Sequence, residues 1–139
     1  MTQIGYTILV VDSVQESLAF WTEGLGFRLE TLSAVKGYQT LVSSSGQTFA
    51  LVEASVLESY VDLPVSLPVV EQGKWKNPLF LSLEVDDLKS TLDRLKPFQI
   101  EILKAPSLMP WGATVAFVQD SQSGLCFELM QKTLTLEPN

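Results

Sequence analysis

The chain has 139 residues, 46% of them hydrophobic and 18% charged, with nine Lys plus Arg against sixteen Asp plus Glu, one Cys and no His. Without histidine there is no Ser-His-Asp triad, no Cys-His dyad, no imidazole general base and no zinc site built on imidazole. A net charge of −7 with scattered cations excludes the basic face that a phosphate backbone requires, so no nucleic-acid partner is expected; acidity serves solubility and favours a cationic ligand.

A chain of this length fits one domain and buries roughly two-thirds of its unfolded surface, enough for a core without staples. A single Cys permits no internal disulfide, in keeping with a reducing compartment. The first twenty residues carry no basic n-region, and no apolar run approaches the about 18 residues of a membrane span. A soluble cytoplasmic protein with no membrane partner is the expectation.

In chain order, Tyr6 to Val11 is a short apolar, β-branched run that predicts a strand. Ser13 with Glu16 three residues on forms a capping box, so a helix should start there, with Val14, Leu18, Trp21 and Leu25 on one face and Gly24 and Gly26 as the stop. Phe27 to Ser33, Tyr38 to Ser44 and Gln47 to Glu53 read as three strands, the last two joined as a hairpin across Ser44-Ser45-Gly46. A helical turn fits Ala54 to Tyr60. Val61 to Pro78, rich in Pro and Val, reads as a surface linker. The order then recurs: a strand over Leu79 to Val85, a cap at Asp86-Asp87, a helical stripe of Leu88, Leu92 and Leu95 ended by Pro97, and strands over Gln99 to Lys104, Gly112 to Gln119 and Leu125 to Gln131.

Superposition supports a duplication. At an offset of 74, Leu9, Val11, Asp12, Val14, Leu18 and Trp21 fall on Leu83, Val85, Asp86, Leu88, Leu92 and Leu95. At an offset of 78, Ser45-Gly46-Gln47-Thr48-Phe49-Ala50-Leu51 falls on Ser123-Gly124-Leu125-Cys126-Phe127-Glu128-Leu129. The predicted class is α+β, with two tandem βαβββ modules (residues 3–60 and 79–133, linker 61–78) forming a curved mixed sheet around a cleft.

Val10-Val11-Asp12, Ser17, Phe20-Trp21 and Leu25-Gly26-Phe27 resemble the "V-x-D…S…F-Y…L-G-F" opening of the vicinal oxygen chelate superfamily, which contains glyoxalase I, extradiol dioxygenases, and fosfomycin and bleomycin resistance proteins. Pro110-Trp111-Gly112, Phe117-Val118-Gln119-Asp120, Gly124 and Phe127-Glu128-Leu129 resemble that group's ending. The resemblance covers nearly the whole chain. It implies that metalloenzyme members take one ligand from the first and one from the last strand of each module, typically His and Glu. Here those places hold Tyr6, Phe80, Ala50 and Glu128, of which only Glu128 has a metal-binding group, so no metal and no cofactor is expected.

Strand alternation puts Leu9, Val11, Phe49, Leu51, Leu81, Leu83, Val85, Phe127 and Leu129 under the helices. The opposite set, Tyr6, Ile8, Ala50, Val52, Phe80, Ser82, Glu128 and Met130, is the candidate ligand face, with Trp111 and Trp75 as a possible rim. Tyr6 and Phe80 have a plainer reading as hollow-filling aromatics, and Glu128 as a carboxylate satisfied by the Tyr6 hydroxyl, by a cation or by solvent. Trp111 equally suits a loop anchor, Cys126 an inert thiol, and Glu84 a solvated strand end.

Three functions remain. The first is a metal-independent binding or sequestration protein for an aromatic or cationic small molecule, as the resemblance to bleomycin resistance proteins implies. The second is a metal-free lyase- or isomerase-type enzyme with Glu128 as general acid or base on a substrate held by Tyr6 and Ser82. The third is a non-catalytic structural or regulatory module. The resemblance and the closed symmetry common to oligomers imply a homodimer.

Overall fold

The computed structural model describes residues 1–31, 35–66 and 80–132. In chain order the elements are β1 (Thr7–Val11), α1 (Val14–Ala19) with a π-helical turn at Phe20–Gly24, β2 (Arg28–Leu29), β3 (Tyr38–Val42), β4 (Thr48–Glu53) and α2 (Ala54–Val61). After these come β5 (Leu81–Glu84), α3 (Leu88–Leu95) with a 3-10 turn at Lys96–Phe98, β6 (Ile100–Leu108), β7 (Ala113–Asp120) and β8 (Cys126–Lys132). The fold is α+β: two mixed four-stranded sheets of order β1-β4-β3-β2 and β5-β8-β7-β6. The same order in both halves matches the duplication read from sequence.

Register confirms the two offsets. β1 runs parallel to β4 with Ile8 opposite Ala50 and Leu9 opposite Leu51, and β5 runs parallel to β8 with Ser82 opposite Glu128 and Leu83 opposite Leu129. The helix starts are duplicated as well. Ser13 Oγ accepts from the Glu16 amide at 3.2 Å, and Asp87 Oδ1 accepts from the Ser90 amide at 3.1 Å. The first helical N–H has no partner within its own helix, and in both modules the last strand supplies one. The Val14 amide donates to Glu53 Oε1 at 3.1 Å, and the Leu88 amide donates to Gln131 Oε1 at 2.7 Å.

Both modules share one core. Leu9, Val11, Phe49 and Leu51 pack with Leu88, Leu95, Phe127 and Leu129, and Trp21 sits among them, its indole edge-on to Phe127 at 5.5 Å and tilted on Phe49 at 4.5 Å. The helical face predicted through Trp21 is reached by a π-turn instead of a regular α-helix: the Leu25 amide donates to the Phe20 carbonyl, five residues back. Gly24 lies where this turn meets α3, and a Cβ there would stand 2.8 Å from Leu95 Cδ2. The opposite crossing is made by the turn before β8. The Asp12 amide donates to the Gln122 carbonyl at 2.8 Å, the Ser13 amide to Gln122 Oε1 at 3.1 Å, and Gln122 Nε2 to Glu16 Oε2 at 2.9 Å. Buried Asp120 braces that turn by accepting from the Gln122 and Ser123 amides and the Ser123 hydroxyl.

Three expectations shift. The strand predicted over Phe27 to Ser33 pairs only at Arg28–Leu29, with residues 32–34 outside the described set; Glu30 adds one further bond from its amide to Thr40 O. The strand predicted to end at Lys104 continues to Leu108 across register shifts against β7. The helical turn after β4 is a two-turn helix closed by Asp62 in the left-handed region at φ 55°. Most of the linker, with Trp75, lies outside the described residues.

Replacing Glu53 or Gln131 with Met should lower stability by about 1–2 kcal/mol each in urea denaturation, because each leaves a helix-start N–H without its acceptor. Gly24→Ala should cost about 1–3 kcal/mol by driving a methyl into buried Leu95.

Candidate functional site

The face of each sheet turned away from the helices carries the side chains expected there. Tyr6 and Phe80 each stand one residue before the first paired residue of their sheets, and both are 47% exposed. Ile8 is half exposed and Ser82 is exposed. Ala50 and Val52 depart from the expectation: at 0% and 3% exposure they are covered. By register Ala50 lies between the longer Ile8 and Thr40, and Val52 between Val10 and Tyr38, so both support this face from beneath instead of presenting surface.

The second sheet concentrates the chemistry. Ser82 on β5, Glu128 on β8, Phe117 on β7 and Lys104 on β6 form one cross-strand row. The Ser82 hydroxyl donates to Glu128 Oε1 at 2.6 Å, so the carboxylate's partner is Ser82, not the Tyr6 hydroxyl or a cation considered from sequence. Phe80 meets Phe117 edge to face, ring centroids 6.0 Å apart. A half-buried carboxylate, oriented by a hydroxyl, is thus bordered by an aromatic pair. Met130, partly buried, follows Glu128 on the same face and pairs with Val115. Trp111 is 67% exposed in the turn between β6 and β7, so it is not a buried loop anchor.

Phe117 was missed as a site residue by strand alternation. β7 carries buried apolar side chains on both faces, Val115 on one and Ala116 and Val118 on the other, so its pattern assigns no direction. Its register against Glu128 supplies it.

The four positions that correspond to first- and last-strand ligands hold a phenol, a phenyl ring, a methyl and one carboxylate. Among the described residues no three His, Cys, Asp or Glu side chains are grouped to hold a metal ion. This donor set does not fit a divalent cation, which takes three or four N, O or S ligands. Glu84 is not simply solvated: its carboxylate meets Lys132 Nζ at 2.7 Å on the surface.

Cys126 is 2% exposed. Burial pushes its thiol pKa up, and the negative charge of Glu101 adds to the rise. Both effects suppress the thiolate and suit an inert thiol.

Two βαβββ modules of identical strand order, each with its first strand parallel to its last, define the class of fold. The chain belongs to the Glyoxalase/Bleomycin resistance protein/Dioxygenase superfamily, whose family model matches residues 3–129. It is 24% identical over 115 residues to the protein YetH of Bacillus subtilis strain 168, covering 83% of this chain and 88% of that one. Among solved structures it is similar to the hypothetical protein SA1046 of S. aureus, with TM-score 0.74, 17% identity and coverage of 94% of this chain and 95% of that one. It is also similar to the fosfomycin resistance protein FosX of Listeria monocytogenes, with TM-score 0.66, 14% identity and 96% of each chain covered. A variant of FosX was crystallised with Mn(II). At these identities the structural likenesses establish the fold. No helix among the described residues is long and apolar enough to cross a membrane.

Folded protein should react with iodoacetamide at Cys126 at least tenfold more slowly than urea-unfolded protein at neutral pH. The unfolded chain ionises its thiol first as pH rises, so this group's contribution to stability is complete below the ordinary thiol range and declines above it, measurable as a falling denaturation midpoint.

Proposed function

We propose that the protein is a metal-independent binding protein for a small aromatic cation, held at the Ser82–Glu128–Phe117 row. The observation that carries this reading is the oriented carboxylate beside the Phe80–Phe117 ring pair. A cation gains from the carboxylate charge and from the ring faces, while an aromatic body gains from ring contact. Among the described residues Lys104, next in the row, makes no ion pair with Glu128, whose Oε1 accepts from the Ser82 hydroxyl. The net charge of −7 favours the approach of cations. The donor set supports metal independence.

The reading includes a cytoplasmic homodimer. Half-exposed Tyr6, Ile8 and Phe80, with Ile102 and Leu108 exposed on the outermost strand of the second sheet, provide apolar surface for a second copy. Sedimentation at micromolar concentration should give twice the chain mass; a monomer there removes this part of the proposal.

Calorimetric titration with benzyltrimethylammonium, using benzyl alcohol as a neutral comparison, tests the site. Glu128→Gln should weaken the cation at least tenfold and leave the alcohol unchanged, whereas Phe117→Leu should weaken both. Equal binding of the cation by the parent and Glu128→Gln overturns the reading. Stoichiometric stabilisation by Zn(II), Ni(II) or Mn(II) overturns metal independence.

A further inference from the structure

The duplication shows what the fold itself requires along the row of Ser82, Glu128, Phe117 and Lys104. In the first sheet, register sets Ile8, Ala50 and Thr40 at the places that Ser82, Glu128 and Phe117 take in the second. Those three are uncharged, although the strand order is the same in both sheets. The architecture therefore needs no charge at these places, whereas the row of the second module carries one of each sign.

The positive charge is aimed there by an irregularity in β6. Ile102 pairs with Val118, so in a regular antiparallel ladder the next two residues would oppose Phe117 and Ala116. Lys104 would then fall opposite Ala116, a fully buried member of the core. Instead the register shifts between Ile102 and Lys104, passing over Leu103, and Lys104 pairs with Phe117. Directly opposed side chains share a face of the sheet, so the shift sets Lys104 beside Phe117 and away from the core. A bulge gives up regular pairing to re-aim a side chain, and such bulges are over-represented next to active sites.

Strands stand about 4.8 Å apart, so Lys104 and Glu128, two strands removed, project from backbones roughly 10 Å apart with Phe117 between them. Among the described residues Lys104 is exposed and joins no ion pair, while Glu128 is half buried and oriented by Ser82. Opposite charges fixed on separate strands, and not paired with each other, match a molecule that carries both. The net charge of −7 disfavours a simple anion, so a carboxylate gains at Lys104 only in company with a cationic group.

We infer that the ligand of this row is an aromatic zwitterion, with its cationic group at Glu128, its ring across Phe117 and a carboxylate at Lys104. The inference rests on the cation site proposed above and names the second charge of its occupant.

Calorimetric titration with (para-carboxybenzyl)trimethylammonium, a zwitterion at neutral pH, tests it against two cations, the methyl ester of that compound and benzyltrimethylammonium. The zwitterion should bind at least fivefold more tightly than either. Its ortho isomer, whose charges lie side by side and do not span the row, should gain less than twofold. Lys104→Gln should bring the zwitterion and the two cations to within twofold of one another, whereas Lys104→Arg, which keeps the charge, should preserve their order. Both substitutions alter an exposed side chain, so the urea midpoint should stay that of the parent. If benzyltrimethylammonium binds through Glu128 but the carboxylate brings no gain, or the gain survives Lys104→Gln or is matched by the ortho isomer, this inference is overturned and the cation site stands. If neither benzyltrimethylammonium nor the zwitterion binds, both are overturned.

Discussion

The first N–H of each module's helix is satisfied by a side chain at the far end of that module's sheet, and the βαβββ arrangement depends on this closure. A helix start exposes amides that its own turns cannot pair, and burial beside a sheet removes water as the alternative partner. Glu53 and Gln131 stand at the same register position on β4 and β8, each where the parallel first strand ends and the helix begins. One hydrogen bond in each module thus ties the helix start to the last strand, 39 residues away in the first module and 43 in the second. It also holds the last strand parallel to the first, the pairing that places Ile8 beside Ala50 and Ser82 beside Glu128.

The modules are locked to each other by different means in the two directions. The second reaches the first through polar groups, with Gln122 gripping the start of α1. The first reaches the second through close packing, with Gly24 against Leu95 and Trp21 against Phe127. Arg94 reinforces the second contact by donating to the Gly24 carbonyl at 3.3 Å. The seam is therefore well fixed around α1 and α3 and leaves open space beside β5, bordered by Leu81, Ser82 and Leu83.

Much of this arrangement was legible because duplication leaves two readings of each feature in one chain. The offsets of 74 and 78 correctly paired strand positions whose register no single module reveals. The capping residues Ser13 and Asp87 were legible because their signal lies within four residues. The Ser82–Glu128 bond was not, although both residues belonged to the expected face, because parallel pairing brings together positions 46 residues apart. Phe117 stayed hidden in a strand buried on both faces. The partial burial of Leu81 and Leu83 depends on how the modules meet, which alternation along one strand does not encode. The π-turn was hidden for a subtler reason: its side chains still satisfy an α-helical pattern over one turn.

Duplication followed by divergence has also left the helix-start bond in two ionic forms. In the first module the acceptor is a carboxyl group and in the second a carboxamide of nearly the same shape. The carboxylate interaction adds charge to the partial positive end of a helix and is weakened by mobile ions, whereas the carboxamide carries no net charge to screen. Ionic strength thus acts unequally on the two halves of a nearly symmetric molecule, loosening the first module's closure while leaving the second's almost untouched.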